Sequence, residues 1–579
     1  MAKSRYIFVS GGVISALGKG ITASSISMLL KARGYKVTPI KCENNLNVDF
    51  GTLNPIEHGD PFLCHDGLEA DQDLGNYERM LEQEVGHPNF MTMGQLYSTV
   101  IKRERELGYD GEDVEPIPHI VEEIIARIKK AAEDTKADFV VVELGGTVGE
   151  YENNNGLYYE AARILALDNP VAHFHVTYVP VPAHIGEPKT KPAQMGIKSL
   201  MSMGISPNFL IVRSEIPVDK QRKFKFAQKF HIKPEDVFSN ENLDDIHKVP
   251  LHLHDQKLDE RVLEYFSMQK SRINLAKWEQ FIKKMEKVKA IDTKNAKSAK
   301  SIGSTKSTRT NKAANVKRNV EIAIVGKYFG TGDSELMDSY HSLLHAIKHA
   351  GIETNTKIEL KFVNSEKEET SMAAVLKGTD GIIVPIGWGK RGVEGKINAI
   401  KFARENKVPY LGLCYGMQLA CVEYARNVLK LKNADTEENN PEAEHKIIHA
   451  IPFDDKYQVI KGDGCSMRLG TYPCELKKDT LTHKIYSEHD ALVDKKKNLV
   501  EERHRHRFEF NNDYRNELEN AGLVFSGTSP DDFFVEFIEL PKKTHPFFVA
   551  TQGHPEYKST PLHPHPIFVE FIKASIDER

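Results

Sequence analysis

Tyr6-Ile-Phe-Val-Ser-Gly-Gly-Val-Ile-Ser-Ala-Leu-Gly-Lys-Gly-Ile21 sets a short apolar run against a glycine-rich turn that carries a single lysine, Lys19. The run Tyr6–Val9 predicts a buried strand, and the stretch Ile21–Arg33 after it has helical character. Glycines in such a turn let backbone N–H groups approach phosphate oxygens, and the following helix N-terminus adds its positive dipole end. Lys19 can reach the outer phosphates as a point charge. The segment is P-loop-like but departs from G-x-x-x-x-G-K-[ST]. The spacing from Gly12 is one residue longer, and Gly20 stands at the hydroxyl position.

Outward from this turn the strand–helix alternation continues. Lys36–Lys41, Phe139–Leu144, His173–Val179 and Phe209–Arg213 read as buried strands, with helix-like Ile117–Glu133 among them. Alternating βα units predict a parallel sheet with helices on both faces. From Lys289 to Arg318 the pattern lapses into a stretch with nine Lys or Arg, one Asp and no aromatic residue. Such a segment cannot bury enough apolar surface to offset its ordering entropy, which predicts a flexible linker or a basic arm for an anionic partner. Beyond it the pattern restarts, with strands at Glu321–Val325, Lys357–Val363, Gly381–Pro385 and Tyr410–Leu413 and helices at Leu336–His349 and Met417–Val428. The expected fold class is α/β, with two doubly wound domains.

The 579 residues are too many for one ordinary domain and suggest two or more. A hydrophobic fraction of 40% and a charged fraction of 28% fit a globular chain. A net charge of −4 makes no general case for nucleic acid. No apolar run approaches the ~20 residues of a membrane helix, and Tyr6–Val9 is too short for a signal core. Cys42, Cys64, Cys414, Cys421, Cys465 and Cys474 form no C-x-x-C pair, so reduced thiols are expected.

A nucleotide site calls for magnesium. Asp71 and Asp73 lie in Gly67-Leu-Glu-Ala-Asp-Gln-Asp-Leu-Gly75, and Glu143 ends the run Phe139–Glu143. A carboxylate at a strand's carboxyl end faces the crevice where open α/β sheets bind ligands, and Mg²⁺ takes one or two carboxylates. The plainer reading is a surface acidic loop and a strand-end Glu. Lys189 and Lys191, in Lys189-Thr-Lys-Pro-Ala-Gln194, point the same way if extended, to hold a second triphosphate or as a solvated pair. In the second half, Gly412-Leu-Cys414-Tyr-Gly416 between an apolar strand and a helix is the cysteine form of a nucleophile elbow. Downstream, Thr551-Gln-Gly-His554-Pro-Glu556 supplies a base and a residue to orient it. The backbone N–H groups of Gly387 and Tyr415 could stabilise an oxyanion.

Together these residues resemble the CTP synthase family over nearly the whole chain apart from the linker. The most specific matches are Gly18-Lys-Gly20, Asn47-Val-Asp49, Asp71-Gln-Asp-Leu-Gly-Asn-Tyr-Glu-Arg79, Val142-Glu-Leu-Gly-Gly-Thr-Val-Gly149 and Lys189-Thr-Lys-Pro192. In the second half they are Arg391-Gly-Val-Glu-Gly395, Arg404-Glu-Asn406, Met467-Arg-Leu-Gly470 and Glu502-Arg-His-Arg-His-Arg507. A class I glutamine amidotransferase alone explains only the second half.

The resemblance implies an ATP- and UTP-binding amidoligase (synthetase) domain over 1–275, a linker over 276–319 and a class I glutamine amidotransferase domain over 320–579. It implies that ATP phosphorylates the 4-oxygen of UTP and that ammonia from glutamine crosses an internal channel to displace the phosphate. It places Lys19 and Lys41 at phosphoryl transfer and Ser15, Ala16, Leu17, Gly18, Gly20, Ile21 and Asp73 around ATP, with Asp73 and Glu143 on Mg²⁺. Ser15, Lys189, Lys191, Gln194 and Lys225 fall to UTP, and Glu150, Tyr151 and Glu152 to the segment that reads CTP. Gly387, Tyr415, Gln418, Glu438 and Arg507 fall to glutamine, and Cys414, His554 and Glu556 to the triad. GTP as activator, CTP as inhibitor, a homotetramer and a cytoplasmic location are further implications, with no nucleic-acid or membrane partner.

Three segments depart from the family pattern. Lys-Leu-Asp-Pro-Tyr reads Lys41-Cys-Glu-Asn-Asn45, Gly-Gly-Phe-Gly reads Ile386-Gly-Trp-Gly389, and His-Gly-Glu-Val reads His58-Gly-Asp-Pro61. They border the nucleotide site, the oxyanion turn and the ammonia gate. The competing readings are another glutamine-dependent amidoligase and a diverged non-catalytic nucleotide-sensing or assembly paralogue.

Overall fold

The computed structural model describes residues 3–55, 59–149, 155–291, 319–331, 334–335, 340–451 and 467–577. The chain divides into two compact units. The first comprises Met1–Thr52 and Glu69–Ile282, the second Leu53–Leu68 and Lys283–Arg579. No sequence pattern had marked the excursion Leu53–Leu68.

The first unit is built on seven parallel strands: β1 (Arg5–Gly11), β2 (Val37–Glu43), β3 (Phe90–Thr92), β4 (Phe139–Leu144), β5 (Val171–Tyr178), β6 (Phe209–Ser214) and β7 (Val237–Glu241), in the order β3-β2-β4-β1-β5-β6-β7. The central strands are apolar almost throughout because both faces are covered. Phe8, Val140 and Val142 on one face and Ile7, Val9 and Val141 on the other are all fully buried. Five of its helices carry or buttress the functional side chains: α1 (Lys19–Ala32), α2 (Gln72–Leu81), α3 (Val121–Thr135), α4 (Lys191–Ser202) and α5 (Lys220–Phe230). Ile124 and Ile128 of α3 join Phe8, Ile40 and Val142 in one core. Ala193 and Ile197 of α4 and Phe226 and Phe230 of α5 pack with Leu210 and Val212. The five expected strands are present; the two edge strands β3 and β7 were not anticipated.

The segment expected as a linker opens with a helix, Ala276–Lys289, whose Trp278 donates its indole N–H to the His247 carbonyl at 2.9 Å. The basic stretch 292–318 lies outside the described residues.

The main sheet of the second unit has nine strands among the described residues: β8 (Asn319–Gly326), β9 (Lys357–Asn364), β10 (Gly381–Val384), β11 (Tyr410–Leu413), β12 (Arg468–Leu476), β13 (Leu499–His506), β14 (Val524–Thr528), β15 (Val535–Glu539) and β16 (Phe548–Thr551). Their order is β9-β8-β10-β11-β16-β15-β14-β12-β13. From β9 to β16 the pairings are parallel, and from β16 outward they are antiparallel. Helices α6 (His341–Glu353), α7 (Val393–Asn406), α8 (Tyr415–Asn427) and α9 (Pro566–Asp577) flank it. The expected helix Leu336–His349 begins at His341 among the described residues and runs four residues further, to Glu353. No helix among the described residues is long and apolar enough to cross a membrane.

Candidate functional site

In the first unit the functional side chains gather at the carboxyl ends of β1, β2 and β4. Strand β1 ends at Gly11, and the turn closes at Gly18, whose φ of 86° suits a residue without Cβ, before Lys19 opens α1. A Cβ on Gly11 would lie 2.8 Å from Lys19 Cδ, so its absence lets the lysine fold back over the strand end. Lys19 donates from Nζ to the Gly146 carbonyl at 2.7 Å, and burial lowers its pKa. Ser15 and Ala16 form the exposed tip of the turn, Leu17 is buried, and Ile21 lies in the first turn of α1.

Gly20 resolves the mismatch with the P-loop pattern. A Cβ there would fall 2.1 Å from Asp73 Oδ1, so the carboxylate takes the space that a Ser or Thr would fill. Gly20→Ser should therefore displace Asp73 and lower turnover at this centre about 10²-fold. The same preparation should keep any activity of the second unit, which separate assays of the two units' chemistry will read.

Lys41 Nζ is the hub of this centre. It lies 2.7 Å from Asp73 Oδ2, 2.8 Å from Glu143 Oε1 and 3.2 Å from Glu43 Oε1. Burial works against its charge, but Asp73, Glu143 and Glu43 outweigh that and hold its pKa well above the usual lysine value. Burial likewise opposes the Asp73 charge, yet Lys41 holds this carboxyl below its usual value. Burial and the charge of Asp73 push Asp71 up to about 8. Asp71 accepts from the Asp73 N–H at 2.7 Å and so caps α2, a structural role. Tyr77 donates its hydroxyl to Glu143. The surplus of carboxylates over ammonium groups, all hard oxygen donors, suits a divalent cation at Asp73 and Glu143.

The residues expected at a second triphosphate are brought together in part. Lys191 opens α4, Lys225 lies on α5, and both, with Lys198, lower the pKa of Lys229 after the effect of desolvation. Lys229 donates to Gln194 Oε1 at 2.6 Å. Lys198 and Lys229 were missed, because helix lysines look solvated in sequence. Lys189 pairs with Glu187 at 2.9 Å. Glu150, Tyr151 and Glu152 lie outside the described residues.

The second unit's centre starts at Cys414, between β11 and α8, with φ 52° and ψ −102°. Only an elbow held by its surroundings keeps a non-glycine residue there. Packing demands both flanking glycines. A Cβ on Gly416 would lie 2.0 Å from the Val384 carbonyl oxygen, and one on Gly412 would lie 2.7 Å from the Tyr410 hydroxyl and 2.9 Å from Ala550 Cβ. His554 and Glu556 are joined by a 2.7 Å contact between Nδ1 and Oε1. Burial would lower the imidazole pKa, but Glu556 and Cys414 outweigh it and raise it to about 10.

Around this pair lie the other expected residues. Glu438 accepts from the Gly389 N–H at 2.8 Å, and burial raises its pKa. Gln418 donates to the Phe508 carbonyl at 2.9 Å and to Gln552 Oε1 at 3.1 Å. Arg507, half-buried, follows β13. Beneath the turn 386–389 sits Lys396, fully buried and missed in the sequence. It donates to the Pro385 carbonyl at 2.9 Å, lies 2.8 Å from where a Gly387 Cβ would be, and stands 5.4 Å from the Tyr415 ring centroid. It thus touches both residues expected to supply oxyanion N–H groups. Lys327 donates to the carbonyls of Trp388 and Gly389 on the same turn.

Asp60, in the departing His58-Gly-Asp-Pro61 segment, accepts from Arg505 at 3.1 Å and from Tyr557 at 3.2 Å. The Arg505 guanidinium stacks 4.5 Å from the Trp388 ring. Asp60→Ala would strip a buried arginine of this counter-ion, and thermal or urea unfolding of the whole chain should show a loss of about 3 kcal/mol.

A P-loop-like parallel sheet with a lysine–carboxylate pocket, and a strained cysteine beside a His–Glu pair on a second sheet, define a glutamine amidotransferase-coupled ligase. Residues 5–268 match the family model for the CTP synthase N-terminus, and residues 335–574 match that for class-I glutamine amidotransferase. The chain is 42% identical over 578 residues to a CTP synthase of Caldanaerobacter subterraneus subsp. tengcongensis, covering 99% of this chain and 98% of that one. It is also 42% identical over 578 residues to a CTP synthase of Bacillus subtilis, covering 99% of each. A solved structure of the Trypanosoma brucei CTPS glutaminase domain with bound acivicin is 36% identical, with a TM-score of 0.40, covering 45% of this chain and 94% of that one. The chain belongs to the CTP synthase family.

Proposed function

We propose that the protein aminates UTP to CTP, using ATP and the nitrogen of glutamine and releasing ADP, phosphate and glutamate. The 4-carbonyl oxygen of uracil is a poor leaving group until phosphorylated. Lys19 and Lys41, at the strand ends, bind and neutralise the phosphoryl group in flight. Asp73 and Glu143 would hold Mg²⁺, which when bound neutralises phosphate charge. Lys191, Gln194 and Lys225, with Lys198 and Lys229, receive the UTP phosphates, and Lys189 joins them by exchanging Glu187 for phosphate.

In the second centre the Cys414 thiolate attacks the glutamine amide carbon. His554, cationic at neutral pH, stands as counter-ion to the thiolate and then protonates the amide nitrogen as it leaves as ammonia. Water hydrolyses the resulting Cys414 thioester to release glutamate and the thiolate. Glu556 orients His554 and sustains its charge. The Gly387 and Tyr415 N–H groups receive the oxyanion, and Gln418, Glu438 and Arg507 hold the substrate. GTP activates this half, CTP inhibits synthesis, and a cytoplasmic homotetramer is the working form.

The observation that carries this reading is the pair of separate centres, one built on Lys41 between carboxylates and the other on Cys414. Incubation with UTP, ATP, Mg²⁺ and either glutamine or ammonium, followed by nucleotide analysis, tests it. CTP should form with both donors, and unaltered UTP with both would overturn it.

A further inference from the structure

Gln552 follows β16 and lies two residues before His554. It is 1% exposed, and its backbone N–H donates to the Glu536 carbonyl at 2.9 Å. Its side-chain Nε2 donates to Cys414 Sγ at 3.5 Å, a normal distance to sulfur. An amide can face a partner with either end, so what fixes its orientation matters. The Phe508 carbonyl can only accept, which commits the Gln418 amide nitrogen to that side. The same nitrogen donates to Gln552 Oε1 at 3.1 Å. With its oxygen so engaged, the Gln552 NH₂ group is left facing the sulfur. The relay Phe508–Gln418–Gln552 therefore aims a fixed, uncharged donor at the reacting atom.

We infer that Gln552 is a positioning residue for the nucleophile, holding the Cys414 thiolate by an N–H···S hydrogen bond that Gln418 orients. This rests on the reading of Cys414 as the nucleophile. A donor to the sulfur favours the charged thiolate over the thiol and fixes the sulfur against the elbow. A neutral amide does so without competing with the oxyanion N–H groups for the substrate's charge. Part of the role of Gln418 is then exercised through Gln552.

The test is the pH dependence of alkylation of Cys414 by iodoacetamide, followed at the Cys414 peptide by mass spectrometry in the full-length enzyme. Gln552→Glu places an acceptor where the donor was, and Gln552→Met removes the donor at similar volume. The midpoint of the alkylation profile should rise by about one pH unit in the Met variant and further in the Glu variant. Glutamine-driven kcat should fall about tenfold in the Met variant, with KM little altered. Midpoints equal to the native value in both variants would overturn the inference, as would equal shifts in both, which mark a packing effect. If Cys414 in the native enzyme is not alkylated at all, the nucleophile reading itself falls.

Discussion

Cys414→Ala should stop glutamine-driven CTP formation, a loss of roughly 10⁴-fold or more, while ammonium-driven formation continues at the native rate. The large loss follows from the geometry of the elbow. No other described sulfur or hydroxyl sits at a φ of 52° between a strand and a helix beside His554. The four other described cysteines, Cys42, Cys64, Cys421 and Cys474, are buried, and burial raises three of them, Cys42, Cys421 and Cys474, away from the thiolate form. Synthesis from ammonium survives because it uses the other centre. Loss of both activities would contradict two separable chemistries.

The same centre has a pH signature. With its pKa near 10, His554 is the protonated partner at neutral pH, so glutamate release should decline as pH passes about 10 and the imidazolium is lost. The linkage to stability has the same sign. The folded-state value lies above the ordinary 6.5, so the contribution of His554 is complete below pH 6.5 and disappears as pH rises through about 10. Glu556→Gln removes the charge that sustains this and should move the decline to lower pH.

The sequence carried the parallel sheets well, because doubly covered strands such as Phe139–Leu144 are apolar along their whole length. It was silent on the antiparallel half of the second sheet. There Arg468, Glu502, Arg503, His504, Arg505, His506 and Glu536 are all buried, so the strands look like charged surface. It was silent too on residues that serve the site from beneath. A lysine such as Lys396 reads as solvated until the turn 386–389 is folded over it, and Gln552 has no pattern of its own beyond its place before His554. The motifs that were legible are those in which backbone shape dictates residue type, as at Gly20 and Gly416. Even there the reason was not visible, since Asp73 and Val384 are 53 and 32 residues away in sequence from the glycines they crowd.

Lys41→Met should abolish CTP formation from either nitrogen donor, by roughly 10³-fold, while glutamate release from glutamine persists. Lys41 is the only described cation within salt-bridge distance of both Asp73 and Glu143, so its loss leaves the buried Glu143 and the part-buried Asp73 without that shared counter-ion. Two effects are then superimposed. The charge proposed to receive the transferred phosphoryl group is missing, and the uncompensated carboxylates destabilise the unit. A second variant separates them. Lys41→Met combined with Glu143→Gln removes one carboxylate with the ammonium, so thermal unfolding should return toward the native midpoint. Synthesis should stay lost in the double variant, because the cation is still missing and the Glu143 carboxylate, proposed to hold Mg²⁺, has been removed as well. Recovery of synthesis together with stability would mean that Lys41 acts only by neutralising its neighbours, and phosphoryl transfer would then have to rest on Lys19 alone.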